Sequence, residues 1–220
     1  MQGKKVFVDQ YKYVGMRKRL AKDLRGKGQF PETLIQAIAK IPRHFFLDSA
    51  FAEQAYEDKA FPIGSGQTIS QPFTVLYQTN LLDVRPGDNI LEIGTGSGYQ
   101  AAILAEIGAQ VFTIERVEEL QKRAREVLKV LGYKVKLFVG DGTLGVSKHA
   151  PYDKILVTAA APNAPQSLLE QLSIGGLLVI PVGNKEVQQM LRIKRMSENE
   201  YFTETFETFR FVPLIGQRGW

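Results

Sequence analysis

From residue 11 to residue 25, apolar side chains at Val14, Met16, Leu20 and Leu24 are set among basic ones. That spacing puts a single apolar stripe on a helix. Gly26-Lys27-Gly28 ends it. Pro31 opens a second helix over 32–41, and Pro42 stops it. Phe45, Phe46 and Phe51 follow. Such an aromatic cluster is expected to pack this N-terminal piece onto the body of the protein. Residues 61–71 read as a loop, because Pro, Gly and Ser recur there. Pro72 suits the first position of a helix through Val75, Leu76, Thr79 and Leu82.

After the turn signal Arg85-Pro86-Gly87-Asp88 the pattern changes. Short apolar runs at 90–93, 110–115, 135–139, 154–158 and 177–182 predict strands. Helix-like segments at 101–107 and 117–131 lie between them, the second closed by Gly132. This alternation predicts a parallel sheet with helices on both faces. The end differs: 190–194 and 203–212 are strand-like, with Glu198-Asn199-Glu200 as a turn between them. They read as an antiparallel pair on the sheet edge. The expected fold class is α/β, a doubly wound, mostly parallel seven-stranded sheet with an antiparallel C-terminal edge and an N-terminal helical segment. A chain of 220 residues can bury one good core. One domain is therefore expected over 1–220: a helical segment 1–57, an α/β core 58–183 and C-terminal strands 184–220.

Composition removes several chemistries. There is no cysteine, hence no disulfide, thiolate metal site or cysteine nucleophile. No metal is expected. No apolar run has membrane-spanning length, and residues 1–9 lack the apolar core of a signal peptide. The expectation is a cytoplasmic protein without membrane association. A net charge of +5 admits an anionic partner. The basic residues are scattered, however, with short runs only at Lys4-Lys5, Arg17-Lys18-Arg19 and 192–195. A solvated surface is the simpler reading, and nucleic acid is not expected as a partner. Nothing resembles a dimer seam, so a monomer is expected.

The most informative stretch is Glu92-Ile93-Gly94-Thr95-Gly96-Ser97-Gly98. An apolar strand runs into glycines at every second position, then into a helix. Glycine lets a ligand approach the backbone, and the helix N-terminus adds a positive dipole end. A dinucleotide fingerprint needs glycine at its first, third and sixth positions. Counted from Gly94, the sixth is Tyr99, so that reading fails. Glu-x-Gly-x-Gly-x-Gly instead resembles the first motif of class I S-adenosylmethionine-dependent methyltransferases, which implies a Rossmann-like sheet. It also implies cofactor contacts from Glu92, Ile93, Gly94, Thr95, Gly96, Ser97 and Gly98. A purely structural strand–helix turn is the alternative. Glu115 ends the next strand, with Arg116 beside it, and suits the ribose hydroxyls, since an ionised acceptor bonds strongly. Without a ligand it would simply serve a helix N-terminus. Gly140-Asp141-Gly142 follows the third strand. Asp141 and the Gly142 backbone suit the adenine; an ordinary Asp turn is the alternative.

Further segments bear on the acceptor. Gly66-Gln67-Thr68-Ile69-Ser70-Gln71-Pro72 and Val157-Thr158-Ala159-Ala160-Ala161-Pro162 lie outside the glycine turn. With Ile41-Pro42-Arg43-His44-Phe45-Phe46, the run from Leu172 to Gly183 and Phe211-Val212-Pro213-Leu214-Ile215-Gly216, they resemble the protein-L-isoaspartate O-methyltransferase family. The resemblance runs from about Arg17 to the C-terminus. It implies methylation of the free carboxylate of L-isoaspartyl residues, and weakly of D-aspartyl ones, in damaged proteins and peptides. The methyl ester then closes to a succinimide without enzyme, and hydrolysis returns some normal aspartate. S-adenosyl-L-methionine is the implied cofactor and S-adenosyl-L-homocysteine the product.

An acceptor carboxylate has a reference pKa of ~4 and is ionised at neutral pH, so it needs no general base. By resemblance Ser70 is the catalytic serine whose hydroxyl holds that carboxylate, while Gln67, Thr68 and Ile69 flank the cofactor. Ser70 or Gln71 could also cap the helix at Pro72. Ala159, Ala160 and Ala161 could let a peptide lie against the backbone, with Pro213, Leu214 and Ile215 as another wall; tight packing is the alternative for the alanines. Phe73 stands where relatives often carry His, and Ile215 near where some carry Thr. The only histidines, His44 and His149, lie in no site motif. Other readings are a small-molecule or RNA methyltransferase and a non-catalytic cofactor binder. No Asn/Asp-Pro-Pro-Tyr motif is present for amino-group methylation.

Overall fold

The computed structural model describes residues 7–220, and the Lys4-Lys5 run lies outside the described residues. The helices are α1 (Tyr11–Arg25), α2 (Glu32–Lys40), α3 (Pro72–Leu82), α4 (Tyr99–Ile107), α5 (Glu118–Val130) and the short α6 (Gln166–Leu169). The strands are β1 (Phe61–Gly64), β2 (Gln67–Ile69), β3 (Asn89–Ile93), β4 (Gln110–Glu115) and β5 (Val135–Val139), then β6 (Tyr152–Val157), β7 (Leu172–Gly183), β8 (Gln188–Arg195) and β9 (Tyr201–Phe209).

Seven strands form one sheet in the order β5-β4-β3-β6-β7-β8-β9. The first five are parallel. β8 runs antiparallel to β7, and β9 antiparallel to β8. This is the expected α/β sheet with its antiparallel edge. Successive side chains in each strand point to opposite faces. Ile90, Leu156, Val179 and Met190 therefore join one core, and Leu91, Ile155, Val157, Leu178 and Ile180 the other. The longer helices, α1 to α5, all contribute to the first core. The second face is covered by α6 and by single 3₁₀ turns at Gly142–Leu144 and Ser147–His149. Coverage is thus uneven. Its cause lies in the β5–β6 and β6–β7 connections, which carry prolines at Pro151, Pro162 and Pro165 and no long apolar stripe.

The N-terminal aromatics dock as expected. Phe46 packs edge-on against Tyr99, at the start of α4, with centroids 5.4 Å apart, and Phe51 meets Phe61 at 5.5 Å. Residues 61–71 are not a plain loop. β1 and β2 pair antiparallel, Phe61 opposite Ile69 and Pro62 opposite Thr68. Ser65 and Gly66 both sit in the left-handed region, at φ 52° and 69°. Two such residues in succession make the tight turn whose twist matches a hairpin.

Candidate active site

β3 carries the chain to the carboxyl edge of the sheet where the strand order reverses, with β4 on one side and β6 on the other. Open α/β sheets bind their ligands at that reversal. Gly94 leaves β3 at φ 96°. A Cβ there would lie 2.6 Å from Thr158 Oγ1, so the position has no room for a side chain. Thr158, just past β6, donates to the carbonyls of Ile93 (3.0 Å) and Gly94 (2.8 Å). Gly98 caps α4 at φ 87°. Its Cβ would lie 3.1 Å from Ala124 Cβ, which lets α5 pack close to the turn.

Two carboxylates brace this turn. Glu115 accepts from the backbone N–H of Gly96 (2.9 Å) and of Val117 (3.0 Å), joining the turn to the end of β4 and the start of α5. An ionised carboxylate has about four acceptor positions, so capacity for hydroxyls remains. Glu92 is fully buried below the turn. Thr113 Oγ1 donates to its Oε2 at 2.5 Å and also shares a hydrogen bond with Thr95 at 2.7 Å. Glu92 Oε1 has no partner among the described residues. Burial pushes the Glu92 carboxyl up to about 8, against the Thr113 bond and with help from the Glu115 charge.

Ser70 lies between β2 and α3. The N-cap of α3 is Gln71, whose side chain makes no capping bond; Asp58 Oδ1 instead accepts from the Phe73 N–H at 2.8 Å. The Ser70 hydroxyl has no hydrogen-bond partner among the described residues. Thr68, Ile69 and Ser70 line one cleft together with Gly94, Thr95, Gly96 and Ser97. A second cleft, lined by Arg210, Phe211 and Val212 opposite Ala60, Gln71 and Thr74, also contains Thr68, Ser70 and Thr158. Those last three residues line both clefts.

Arg43 holds this junction from behind. It is fully buried, and it donates to the carbonyls of Ala55 (2.9 Å), Lys59 (3.3 Å) and Ser70 (2.9 Å). Its guanidinium carbon stands 4.8 Å from the ring centroid of Tyr99. Burial pushes it down to about 10, with Tyr99, Asp58 and Tyr56 opposing that shift. One arginine thus ties the N-terminal segment, the hairpin and the glycine turn together.

A family model described as Protein-L-isoaspartate(D-aspartate) O-methyltransferase matches residues 16–219. A protein-L-isoaspartate O-methyltransferase of Cytophaga hutchinsonii is 55% identical over 212 residues, 96% of each chain. This chain belongs to the protein-L-isoaspartate(D-aspartate) O-methyltransferase family. The protein of the same name from Salinibacter ruber is 50% identical over 219 residues, 95% of each chain. A solved protein-L-isoaspartate O-methyltransferase superposes with a TM-score of 0.84 at 28% identity, covering 92% of this chain and 67% of that one. A Plasmodium falciparum structure in complex with S-adenosyl-L-homocysteine shares the fold, with a TM-score of 0.79 at 23% identity over 90% of this chain and 98% of that one.

Within this isoaspartyl methyltransferase, the fold gathers some expected residues and not others. Thr68, Ile69, Ser70 and residues 94–97 share a cleft, with Glu92, Ile93, Gly98 and Glu115 directly around it. Gln67 is not among the cleft-lining residues, and Arg116 is exposed. Both Asp141 oxygens are engaged, Oδ1 by the Thr143 backbone N–H and hydroxyl and Oδ2 by the Gln217 N–H. Partial burial opposes its ionisation, but the Gln217, Thr143 and Arg116 interactions prevail and hold the carboxyl below its ordinary range. Gly142 packs against Ile93 so tightly that a Cβ would lie 2.6 Å from Ile93 Cγ2. Ala160 donates to Val212 O (2.8 Å) and accepts from Leu214 N–H (2.6 Å) and Trp220 Nε1 (3.1 Å). Ala161 N–H bonds Pro181 O. The Ala160 backbone is therefore used internally, which is the packing alternative. Pro213 pairs with Ala160, Leu214 is buried, and neither they nor Ile215 line the second cleft. That wall is formed upstream, by 210–212. Sequence reasoning missed Arg210, Arg43, Thr158 and Tyr99 as parts of the site. Arg43 and Thr158 stood inside motifs already singled out; Arg210 had no signal.

Proposed function

We propose that the two joined clefts carry out one reaction, methyl transfer from S-adenosyl-L-methionine to the free carboxylate of L-isoaspartyl residues, with D-aspartyl residues accepted weakly. The methyl ester then closes to a succinimide without the enzyme. The carrying observation is Ser70, which lines both clefts with its hydroxyl free of partners among the described residues.

The cofactor side is the cleft at the glycine turn. Gly94 lets the backbone turn hard against Thr158 where a Cβ would clash, and the buried Glu92 keeps an unpartnered Oε1 among the described residues beneath the turn. Gly94 to Gly98 would hold the cofactor, with Thr68, Ile69, Glu92 and Glu115 around it and Asp141, Gly142 and Arg116 at the outer end. When bound, the cofactor supplies an electrophilic methyl group on a cationic sulfur. The protein's own work is positioning. Ser70 Oγ donates to the acceptor carboxylate, and Arg43 fixes the Ser70 carbonyl so that the hydroxyl keeps its aim. Alignment of this kind is worth about 7–11 kcal/mol of a barrier. The acceptor is already ionised, which agrees with the lack of a histidine in either cleft lining. The reading extends to a monomer that acts in the cytoplasm on damaged proteins and peptides, without nucleic acid, membrane or metal. The flanking residues 159–161 and 213–215 support the acceptor wall from behind.

The test is transfer of labelled methyl to paired peptides that differ only in isoaspartate versus aspartate. Base-labile label on the isoaspartyl peptide alone is expected. Ser70→Ala should lower kcat/KM roughly 10- to 100-fold, the cost of one hydrogen bond to a charged group, with cofactor affinity kept. Cofactor binding with transfer to neither peptide would sink the reading.

A further inference from the structure

The second cleft has a feature that methyl transfer itself does not use. Among the residues that line it, Arg210 is the one charged group; its neighbours are Ala60, Thr68, Ser70, Gln71, Thr74, Thr158, Phe211 and Val212. The Arg210 side chain is exposed, and no hydrogen bond or ion pair engages it among the described residues. Other arginines of the same region are taken: Arg192 grips Glu204 through two bonds of 2.7 and 3.0 Å, and Arg195 caps backbone carbonyls. Arg210 follows directly on β9, and Phe211 behind it is anchored by its N–H to Gln188 Oε1 at 2.8 Å. The guanidinium is therefore a free cation on a fixed stretch of backbone, facing the space where an acceptor peptide must lie.

We infer that Arg210 forms an anionic subsite that takes a second carboxylate of the acceptor peptide, carried by a residue flanking the isoaspartate. The reacting carboxylate is the less suitable partner on two grounds. Arg210 lines only the second cleft, whereas the glycine turn lines only the first. Methyl transfer also neutralises the reacting carboxylate as its oxygen–carbon bond forms. A salt bridge to that oxygen would favour the ground state over the transition state and slow the reaction. A flanking carboxylate keeps its charge throughout, so pairing with it strengthens binding without raising the barrier. A guanidinium fork suits a carboxylate in two-point contact.

The subsite rests on the isoaspartyl reading of the clefts, and its test separates the two. C-terminally amidated isoaspartyl peptides are compared with Glu or Gln in turn at each flanking position, using the wild type, Arg210→Gln and Arg210→Lys. The wild type should favour one Glu peptide about fivefold in kcat/KM, the upper range for a solvent-exposed ion pair, through KM with kcat nearly unchanged. Added salt should shrink the preference. Arg210→Gln should abolish it, and Arg210→Lys should retain most of it. Equal use of Glu and Gln peptides by the wild type, or a preference that survives Arg210→Gln, overturns the subsite alone. A loss in kcat that is equal for all peptides would put Arg210 at the reacting carboxylate and overturn it too. Transfer to no isoaspartyl peptide overturns the acceptor assignment and the subsite with it.

Discussion

At the residue scale, Glu92 is the most consequential side chain whose behaviour depends on its surroundings. A carboxyl with full burial and one unpartnered oxygen favours its neutral form, and burial raises it to about 8. Between the ordinary carboxylate range and about pH 8, the folded protein keeps a proton that the unfolded chain has released. Stability must then fall as pH rises through that window. Glu92→Gln removes the titration. Urea unfolding of the ligand-free protein should show the variant gaining on the wild type between pH 5 and pH 8, by an amount on the order of a few kcal/mol. A gap that does not change with pH would mean that Glu92 is ionised throughout. The position of Glu92 before the glycines was legible in the sequence, because the motif fixes it. Its burial was not, because that depends on β4 and β6 pairing on either side of β3. Arg43 tells the same story: its place in Ile41-Pro42-Arg43 was visible, but its three carbonyl partners come from residues 12 to 27 positions further on.

At the scale of elements, the strands and longer helices follow the apolar periodicity closely, because that periodicity is what each element buries. The hairpin β1–β2 escaped because its residues look like a loop. Pro, Gly and Ser are turn formers, and the pairing of Phe61 with Ile69 appears only once both are buried against the helices. The glycine turn was read correctly from spacing. Its reason in space is Thr158, whose Oγ1 fills the position a Gly94 side chain would need. Gly94→Ala combines that clash with a left-handed backbone at φ 96°. Strain of this kind costs roughly 1–3 kcal/mol. Calorimetric titration should therefore show S-adenosyl-L-methionine affinity reduced by about tenfold or more. Affinity within twofold of wild type would show that the turn relaxes around a methyl group. Helix α6 and the two 3₁₀ turns show the limit of periodicity, since elements of one turn carry too few apolar positions to register.

At the scale of the molecule, the C-terminal segment is a strap across the sheet's carboxyl edge. Asp141 Oδ2 accepts from Gln217 N–H, Arg218 N–H reaches Thr143 Oγ1 at 3.2 Å, and Trp220 Nε1 reaches Ala160 O at 3.1 Å. Asp141→Ala should cost about 1–3 kcal/mol locally, because several donors lose a charged acceptor. Hydrogen exchange should quicken at the Gln217 and Thr143 amides while the central sheet amides stay protected; uniform exchange would show that the strap unfolds only with the whole. The sequence by itself determined the element order, the glycine turn at the end of β3 and the serine segment before α3, because these depend on local spacing and on backbone conformations that few residues tolerate. Only the tertiary structure decided that Ser70 joins two clefts, that Ala160 serves the strap, and that Arg210 rather than Pro213 to Ile215 lines the second cleft. Those facts depend on which distant backbone groups pair when β6, β7 and the C-terminal segment meet, and no local pattern encodes that pairing.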